Sequence, residues 1–223
     1  TGAKWRACAQ GDADERFFIV NGDEGDPGAY MDRSLLESDP HLVLEGLMLG
    51  CAACGASRAY VFIRAEYPQA VTTMQRAIDD AYRCGLLGSG IAGTGFSLDV
   101  SVIRGAGAFL CGESTALANV LEGKPCMPRT KPPHLAEKGL WDKPTCVNNV
   151  ETLANVPLIM RNGADWYRQV GTAESPGTKI LSITGSPFCN VFYRFSINSK
   201  SLHRHPKLTC IKIPIVPACL IRQ

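Results

Sequence analysis

Residues 105–115 read GAGAFLCGEST, a glycine-rich turn set between a strand-like segment and a helix-like one. Just upstream, Leu98, Val100 and Val102 alternate with Asp99, Ser101 and Ile103, the period of a strand with at least one apolar face. Gly105, Gly107 and Gly112 remove Cβ atoms where a flat ligand or a phosphate would need close approach. A helix following from about Ser114 would present its free N–H groups to an anion. The pattern reads in two ways, as an ordinary tight connection from strand to helix or as a phosphate cradle.

Outward from this turn the chain alternates regularly. Residues 17–20 form an apolar strand that ends in the polar turn NGDEGDPG. Leu44, Leu47, Met48 and Cys51 fall at helical spacing, so 41–54 is expected to be a helix with a buried stripe. AYVFIR at 59–64 is the next strand. Val71, Met74, Ile78 and Ala81 make a second helical stripe, which Gly85 and Gly88 stop. After the strand at 98–103 and the glycine turn come a helix to about Leu121, a proline-rich loop over 124–144, a helix over 150–160 and a last strand at 179–184. The crossovers are long enough for parallel pairing, so an α/β fold with a mainly parallel sheet covered on both faces is expected. Ligands in such sheets sit at the carboxyl ends of strands. Both glycine-rich turns, after Val20 and after Arg104, lie there.

The composition, 45% hydrophobic and 20% charged over 223 residues, supplies enough apolar material for a buried core. No apolar run approaches the roughly 18 residues that span a bilayer, and the opening TGAKWRACAQ carries no apolar signal segment. The expected setting is cytoplasmic, with no direct membrane insertion. The ten cysteines lie mostly within apolar elements and read as reduced thiols. The net charge of +2 conceals an asymmetry. Residues 186–223 hold six Lys or Arg and no acidic side chain, whereas residues 1–185 hold 17 basic and all 21 acidic ones. The basic end lacks the aromatic or arginine periodicity of a nucleic-acid binder. It reads as a foreign or out-of-frame irregular tail, and no nucleic-acid partner is expected.

The turn at 21–28 gathers three carboxylates and an amide. A solvated turn, a hard-oxygen metal loop, or a set of acceptors for ribityl or ribose hydroxyls and a flavin edge all suit it, although the ligand spacing of an EF-hand is missing. CAAC at 51–54 has a cluster-like spacing, but it lies on the helical stripe, where packing is the simpler reading. Cys111 has no local base and reads as a structural thiol, and Ser114 lacks a nucleophile elbow. No metal ligands are assigned.

Nine ordered motifs nonetheless identify a family. KW at Lys4, VNGDEGDPGAYMDR from Val20, DPHLVLEG from Asp39, RAEYP from Arg64, GTGFS from Gly93, RGAGAFLCGEST from Arg104, LEGKPCMPRTKPP from Leu121, GLWDKPT from Gly139 and NNVETLANVP from Asn148 resemble the flavin-bearing NADH-oxidising subunit of respiratory complex I. Its relatives in NAD-linked hydrogenases and formate dehydrogenases share them. The resemblance covers residues 1–185 and implies a Rossmann-like FMN-binding domain on which NADH stacks, with hydride passing directly between the cofactors and no catalytic side chain. It places Lys4, Asn21, Asp23, Glu24, Gly112, Glu113, Val147, Asn148, Asn149 and Thr152 around FMN, and Asp26, Phe109 and Lys131 near NAD(H). Asp26 would repel a ribose phosphate and so favour NAD over NADP.

The same resemblance implies partner subunits in a multi-subunit redox complex, a small iron–sulfur subunit among them. The family's GRGGAGFP loop and the cysteine run for its 4Fe–4S cluster are missing from this chain. Ser114 stands where a glutamate is usual, His134 where a phenylalanine is usual, and Phe109 where tyrosine is commoner. Two functions follow as expectations: a part of an NADH dehydrogenase flavoprotein, or a non-catalytic module that binds nucleotide weakly or only makes subunit contacts.

Overall fold

The computed structural model describes residues 1–10, 13–26, 28–183 and 191–195. Four parallel strands, β1 (Phe17–Gly22), β2 (Arg58–Ile63), β3 (Asp99–Arg104) and β4 (Thr145–Asn149), form one sheet in the order β3-β2-β1-β4. The period-2 alternation of β1 divides its side chains between two cores. Phe18 and Val20 join Val61, Ile63, Val100 and Cys146 on one face, while Phe17 and Ile19 join Phe62 and Val147 on the other.

Helices α3 (Pro40–Cys54) and α4 (Pro68–Arg83) cover the first face through Val43, Leu47 and Cys51 and through Ala70, Met74 and Ile78. Helix α1 (Gly2–Gln10) adds Cys8 to the same core. The second face is closed by α5 (Ser114–Leu121) through Leu117 and Ala118, together with Cys111 and Leu140. The expected α/β architecture with helices on both faces is what the chain adopts.

Local chemistry sets the ends of α3. The Asp39 carboxylate accepts from Leu42 N at 3.1 Å, Pro40 occupies the first turn, and Gly55 closes the helix at φ 71°, a left-handed conformation that suits glycine. Helix α6 (Val150–Asn162) contains Pro157, which cannot donate to the Leu153 carbonyl one turn earlier. That carbonyl meets α3 instead: a Cβ on Gly46 would lie 2.1 Å from Leu153 O, so the two helices cross only because position 46 has no side chain.

Several elements differ from the sequence expectation. Residues 145–149, left outside the strands, form β4 and pair with β1 from Phe17↔Thr145 to Asn21↔Asn149. Helices α1, α2 (Met31–Ser38) and α7 (Ala164–Arg168) also lack a counterpart in the sequence reading. The last strand exists as β5 (Lys179–Ile183), but it pairs antiparallel with β6 (Val191–Phe195) in a separate two-stranded sheet. Apart from β6, the basic tail lies outside the described residues. Backbone contacts divide the chain into two compact units, Thr1–Asp26 with Asp32–Pro157, and Pro27–Met31 with Leu158–Gln223. In the second, Tyr30 N donates to Ser182 Oγ at 3.1 Å, and helix α7 (Ala164–Arg168) brings Tyr167 against Gly177, where a Cβ would lie 2.1 Å from its ring.

Gly46→Ala is expected to destabilise the fold by about 1–3 kcal/mol through overpacking against a carbonyl that cannot yield cheaply. Denaturant unfolding measures this, and an unchanged midpoint would contradict the close crossing.

Candidate functional site

The order β3-β2-β1-β4 reverses direction between β1 and β4, and in open parallel sheets that reversal leaves a crevice beyond the carboxyl ends of the two strands. Asn21 and Asn149, paired across β1 and β4, mark its floor. The Asn21 amide donates from Nδ2 to Gly112 O at 2.9 Å, while its Oδ1 accepts from Asp23 N at 3.1 Å. One side chain thus joins the first acidic turn to the second glycine turn. Glycine eases the close approach, since a Cβ on Gly112 would sit 3.3 Å from Asp23 O, a tight contact.

Beside this junction, Asp23 Oδ2 is buried without a hydrogen-bond partner. Burial pushes its carboxyl above the ordinary aspartate range, the Arg64 guanidinium pulls it down, and Glu66 pushes it up again. The ring of Phe109, 72% exposed, lies over Gly25, where an added Cβ would come within 2.6 Å of it. Asp26 is exposed on the same turn.

The second turn corrects the expectation of a helix N-terminus open to anions. Glu113 is itself the cap of α5: its Oε2 accepts from Thr115 N at 2.8 Å, from Ala116 N at 2.9 Å and from the Thr115 hydroxyl. Its Oε1 accepts from Lys131 Nζ at 3.0 Å. Burial alone would raise this carboxyl, but the combined hydrogen bonds from Thr115, Lys131 and Ala116 outweigh it and hold the group at about 2. The chain's own carboxylate fills the place a phosphate would take.

At the third turn the side chains split between the two faces of the sheet. Asn148 turns towards α1, its Oδ1 accepting from Trp5 Nε1 at 2.8 Å and from the Cys146 thiol at 3.4 Å. Val147 faces the opposite core, and its carbonyl accepts from Lys4 Nζ at 2.8 Å. The indole of Trp5 and the ammonium of Lys4 therefore fix α1 to two consecutive residues of β4. Asn149 donates from Nδ2 to Asp32 Oδ2 at 2.5 Å, and its Oδ1 accepts from Glu151 N at 2.9 Å. Thr152 follows, half-buried on α6.

Asp32 and Glu24 form a buried acidic pair behind these residues, 5% and 8% exposed. Glu24 caps α2, its two oxygens accepting from Asp32 N and Arg33 N, each at 3.2 Å, and the Tyr67 hydroxyl donates to its backbone carbonyl at 3.3 Å. The family resemblance implies Glu24 on the flavin side. The structure engages its carboxylate internally. Asp32, which the sequence reading passed over, ties α2 to the start of α6 through Asn149 and through Glu151 N at 3.3 Å. Burial and the neighbouring Glu24 push its carboxyl up to about 7 against the pull of the Asn149 and Glu151 donors.

A cleft of about 340 Å³ opens beside these turns, with Lys4, Ser114, Lys131, His134 and Val147 in its walls. Two of the positions at which this chain departs from the family pattern, Ser114 and His134, therefore face the same space. A larger depression of about 550 Å³ adjoins it past Gln10, Asp14 and Lys143, but none of the sequence-predicted residues lines it. Of the sequence-predicted residues, Lys4, Lys131 and Val147 line the smaller cleft, and Asn21, Asp23, Glu24, Asp26, Phe109, Gly112, Glu113, Asn148, Asn149 and Thr152 stand outside its wall. The proline-rich loop that closes it is organised by Arg129, which donates to Asn119 Oδ1 at 2.8 Å, Gly139 O at 2.8 Å and Glu122 Oε1 at 2.7 Å.

The CAAC pair has neighbours that its spacing could not reveal, because Cys8 from α1 and Cys146 from β4 lie beside Cys54. All four thiols are buried, and among the described residues no group of three or more His, Cys, Asp or Glu side chains is arranged to hold a metal ion. Hydrogen bonding to Cys54 and burial push the Cys8 thiol far above its ordinary range.

A family model described as the Nuo51 FMN-binding domain of complex I matches residues 1–158. The NADP-reducing hydrogenase subunit HndC of Solidesulfovibrio fructosivorans is 52% identical over 185 residues, 83% of this chain and 38% of that protein. An NADH-quinone oxidoreductase subunit of Aquifex aeolicus is 48% identical over 185 residues, 83% of this chain and 43% of that one. Its counterpart in Escherichia coli is 47% identical over 186 residues, again 83% of this chain and 42% of that protein. The crystal structure of an NAD+-reducing NiFe hydrogenase in the H2-reduced state superposes with a TM-score of 0.80 at 37% identity, covering 86% of this chain and 32% of that one. The chain thus spans less than half the length of each of these relatives.

Because the Asp32 carboxyl is raised above its unfolded value of about 3.9, the fold binds an extra proton at intermediate pH, and stability falls as pH rises through about 7. The loss between about pH 4 and 7 is expected to be on the order of 3 kcal/mol, and Asp32→Asn should flatten it. Unfolding free energies measured across that window for both proteins check this, and parallel curves would refute it.

Proposed function

This chain belongs to the Nuo51 FMN-binding domain family, and we propose that it is the FMN-binding part of a flavoprotein subunit that takes hydride from NADH and passes electrons on singly to iron–sulfur centres. The observation that carries this reading is the buried, unpartnered Asp23 Oδ2 at the β1–β4 reversal. An acceptor in that position lacks only a donor, and an FMN ribityl hydroxyl is a donor of suitable length and polarity. The bare approach at Gly112 and the lysines in the cleft wall fit the rest of a flat anionic ligand. FMN, when bound, supplies a carrier that accepts two electrons as hydride and releases them one at a time.

The side chains around it do the positioning. An ammonium group has three donors, and Lys4 gives one to Val147 O, leaving two for an anion in the cleft. Asn21 holds the glycine turn at its working distance, and Asn149 is kept in one amide orientation by Asp32 and Glu151 N. Asn148 acts through Trp5 by seating the helix that carries Lys4. Glu24 and Glu113 brace α2 and α5, and Glu113 also fixes Lys131 at the cleft wall. Thr152, on the first turn of α6, offers a hydroxyl to the phosphate end. Exposed Phe109 offers a ring for a nicotinamide or adenine to lie against. Exposed Asp26 accepts from a ribose hydroxyl and repels a ribose phosphate, which favours NAD(H).

The proposed partners are other subunits of a multi-subunit redox complex, a small iron–sulfur subunit among them. Among the described residues no helix is long and apolar enough to cross a membrane, and any attachment to one is assigned to partners, with the protein in the cytoplasm. The names of the relatives include both NAD and NADP, and Asp26 is the residue on which that choice is proposed to turn.

Purified chain reconstituted with FMN is expected to retain visible flavin absorbance that bleaches on adding NADH. Lys4→Met and Asn21→Ala should each weaken FMN binding about tenfold, the loss of roughly one charged or buried hydrogen bond. Asp26→Asn should narrow the preference for NADH over NADPH with FMN binding unchanged. Failure to bind flavin, or binding without bleaching, would favour the non-catalytic module.

A further inference from the structure

Cys111 and Cys126 have no part in the proposed hydride path, yet their sulfurs lie 3.0 Å apart, across 15 positions of sequence. Cys111 is buried in the 3-10 turn Phe109–Gly112, whereas Cys126 is half-buried in the irregular loop that follows α5. The geometry points to a redox-active dithiol here, which closes to a reversible disulfide when a hydroperoxide reaches Cys126.

The approach needed is small. A disulfide bond is about 2.0 Å long, so the sulfurs must close by roughly 1 Å. The Cys111 side is held rigidly, because Gly112 O is fixed by Asn21 and Glu113 N donates to Leu110 O at 3.1 Å. The Cys126 side lies outside helices and strands and is tethered around the cysteine. Lys124 N donates to Asn119 O at 2.8 Å, and Asn119 Nδ2 donates to Met127 O at 2.6 Å. These bonds keep the cysteine facing its partner while leaving its own backbone room to shift.

The burial of the two residues fixes their roles: Cys111 is buried, whereas Cys126 is half-buried and the more open of the two to a solute. Its thiolate attacks one oxygen of the hydroperoxide, the O–O bond breaks, and hydroxide or alkoxide leaves as a sulfenic acid forms on Cys126. Cys111 sulfur then attacks Cys126 sulfur, the S–O bond breaks, and the departing hydroxyl takes the Cys111 proton and leaves as water. Two thiols lose two electrons and the hydroperoxide gains them. Burial and the adjacent Cys126 push the Cys111 thiol up to about 12, so it keeps its proton until the second step. The buried set of Cys8, Cys51, Cys54 and Cys146 has no comparable opening to solvent.

The test uses the full chain. Trypsin leaves 105–129 as one peptide, because the bond after Lys124 is followed by Pro125, so both cysteines report in a single mass. After hydrogen peroxide, denaturation and alkylation, this peptide is expected to be lighter than its reduced form by two hydrogen atoms and to carry no alkyl group. Oxidation of Met127 does not alter that alkylation readout. Dithiothreitol should restore two alkylatable thiols, and in Cys126→Ser, Cys111 should stay alkylatable after the same treatment. Two alkyl groups on the peroxide-treated peptide, a bond from either sulfur to another cysteine, or oxidation of Cys126 beyond sulfenic acid with Cys111 still free would each overturn the inference.

Discussion

Parallel pairing of Phe17–Gly22 with a strand on each side, Arg58–Ile63 and Thr145–Asn149, obliges the chain to leave β3 at one edge of the sheet and re-enter at the other. The segment that makes this passage carries the glycine turn, α5 and the long proline-rich loop, and it packs on the face opposite α3 and α4. The crevice at the carboxyl ends of β1 and β4 is a consequence of that crossing. Every group at the site takes its position from it, including Asn21, which reaches 91 positions along the chain to the carbonyl of Gly112.

Carboxylates do much of the local engineering at the helix ends. Asp39 caps α3, Glu24 caps α2, Glu113 caps α5, and Asp32 joins α2 to the first amides of α6. Each satisfies N–H groups that a helix cannot satisfy itself. The acidic turn of 21–28 looks from its composition like one uniform patch of negative charge, but its three carboxylates have separate environments. Glu24 is consumed by α2, Asp23 is buried with one free oxygen, and Asp26 is in solvent. Those differences assign structural, ribityl-side and dinucleotide-side roles in the proposed function.

What the sequence made legible follows from range. Strands β1 to β3, helices α3 and α4 and the two turns were readable because their signals, apolar periodicity and glycine, act within a few residues. Strand β4 was not readable: TCVNN ends in two asparagines, which disfavour strands, and it is a strand because β1 supplies its partner. The first amides of α5 read as open to an anion, since a glutamate is an uncommon residue at a helix cap. Only the placement of Thr115 and Lys131 around the Glu113 carboxylate shows otherwise. Asp32 escaped notice because its partners are 117 and 119 positions away. Cys126 did so because nothing local distinguishes it from the other cysteines.

Departures from the family pattern acquire meaning from where they fall. Ser114 stands where a glutamate is usual, and it lines the cleft with Lys4 and Lys131. A glutamate there would add a second carboxylate beside Glu113, whose own charge is already paired with Lys131. With serine, Glu113 is the carboxylate paired with Lys131, Glu137 in the cleft wall accepts from His134 N, and the ammonium of Lys4 is bonded to a neutral carbonyl. Nearby positive charge favours whichever state of a ligand is more negative, and a flavin gains negative charge on accepting hydride. In the proposed function, the exchange of glutamate for serine therefore shifts the cleft towards holding the reduced flavin.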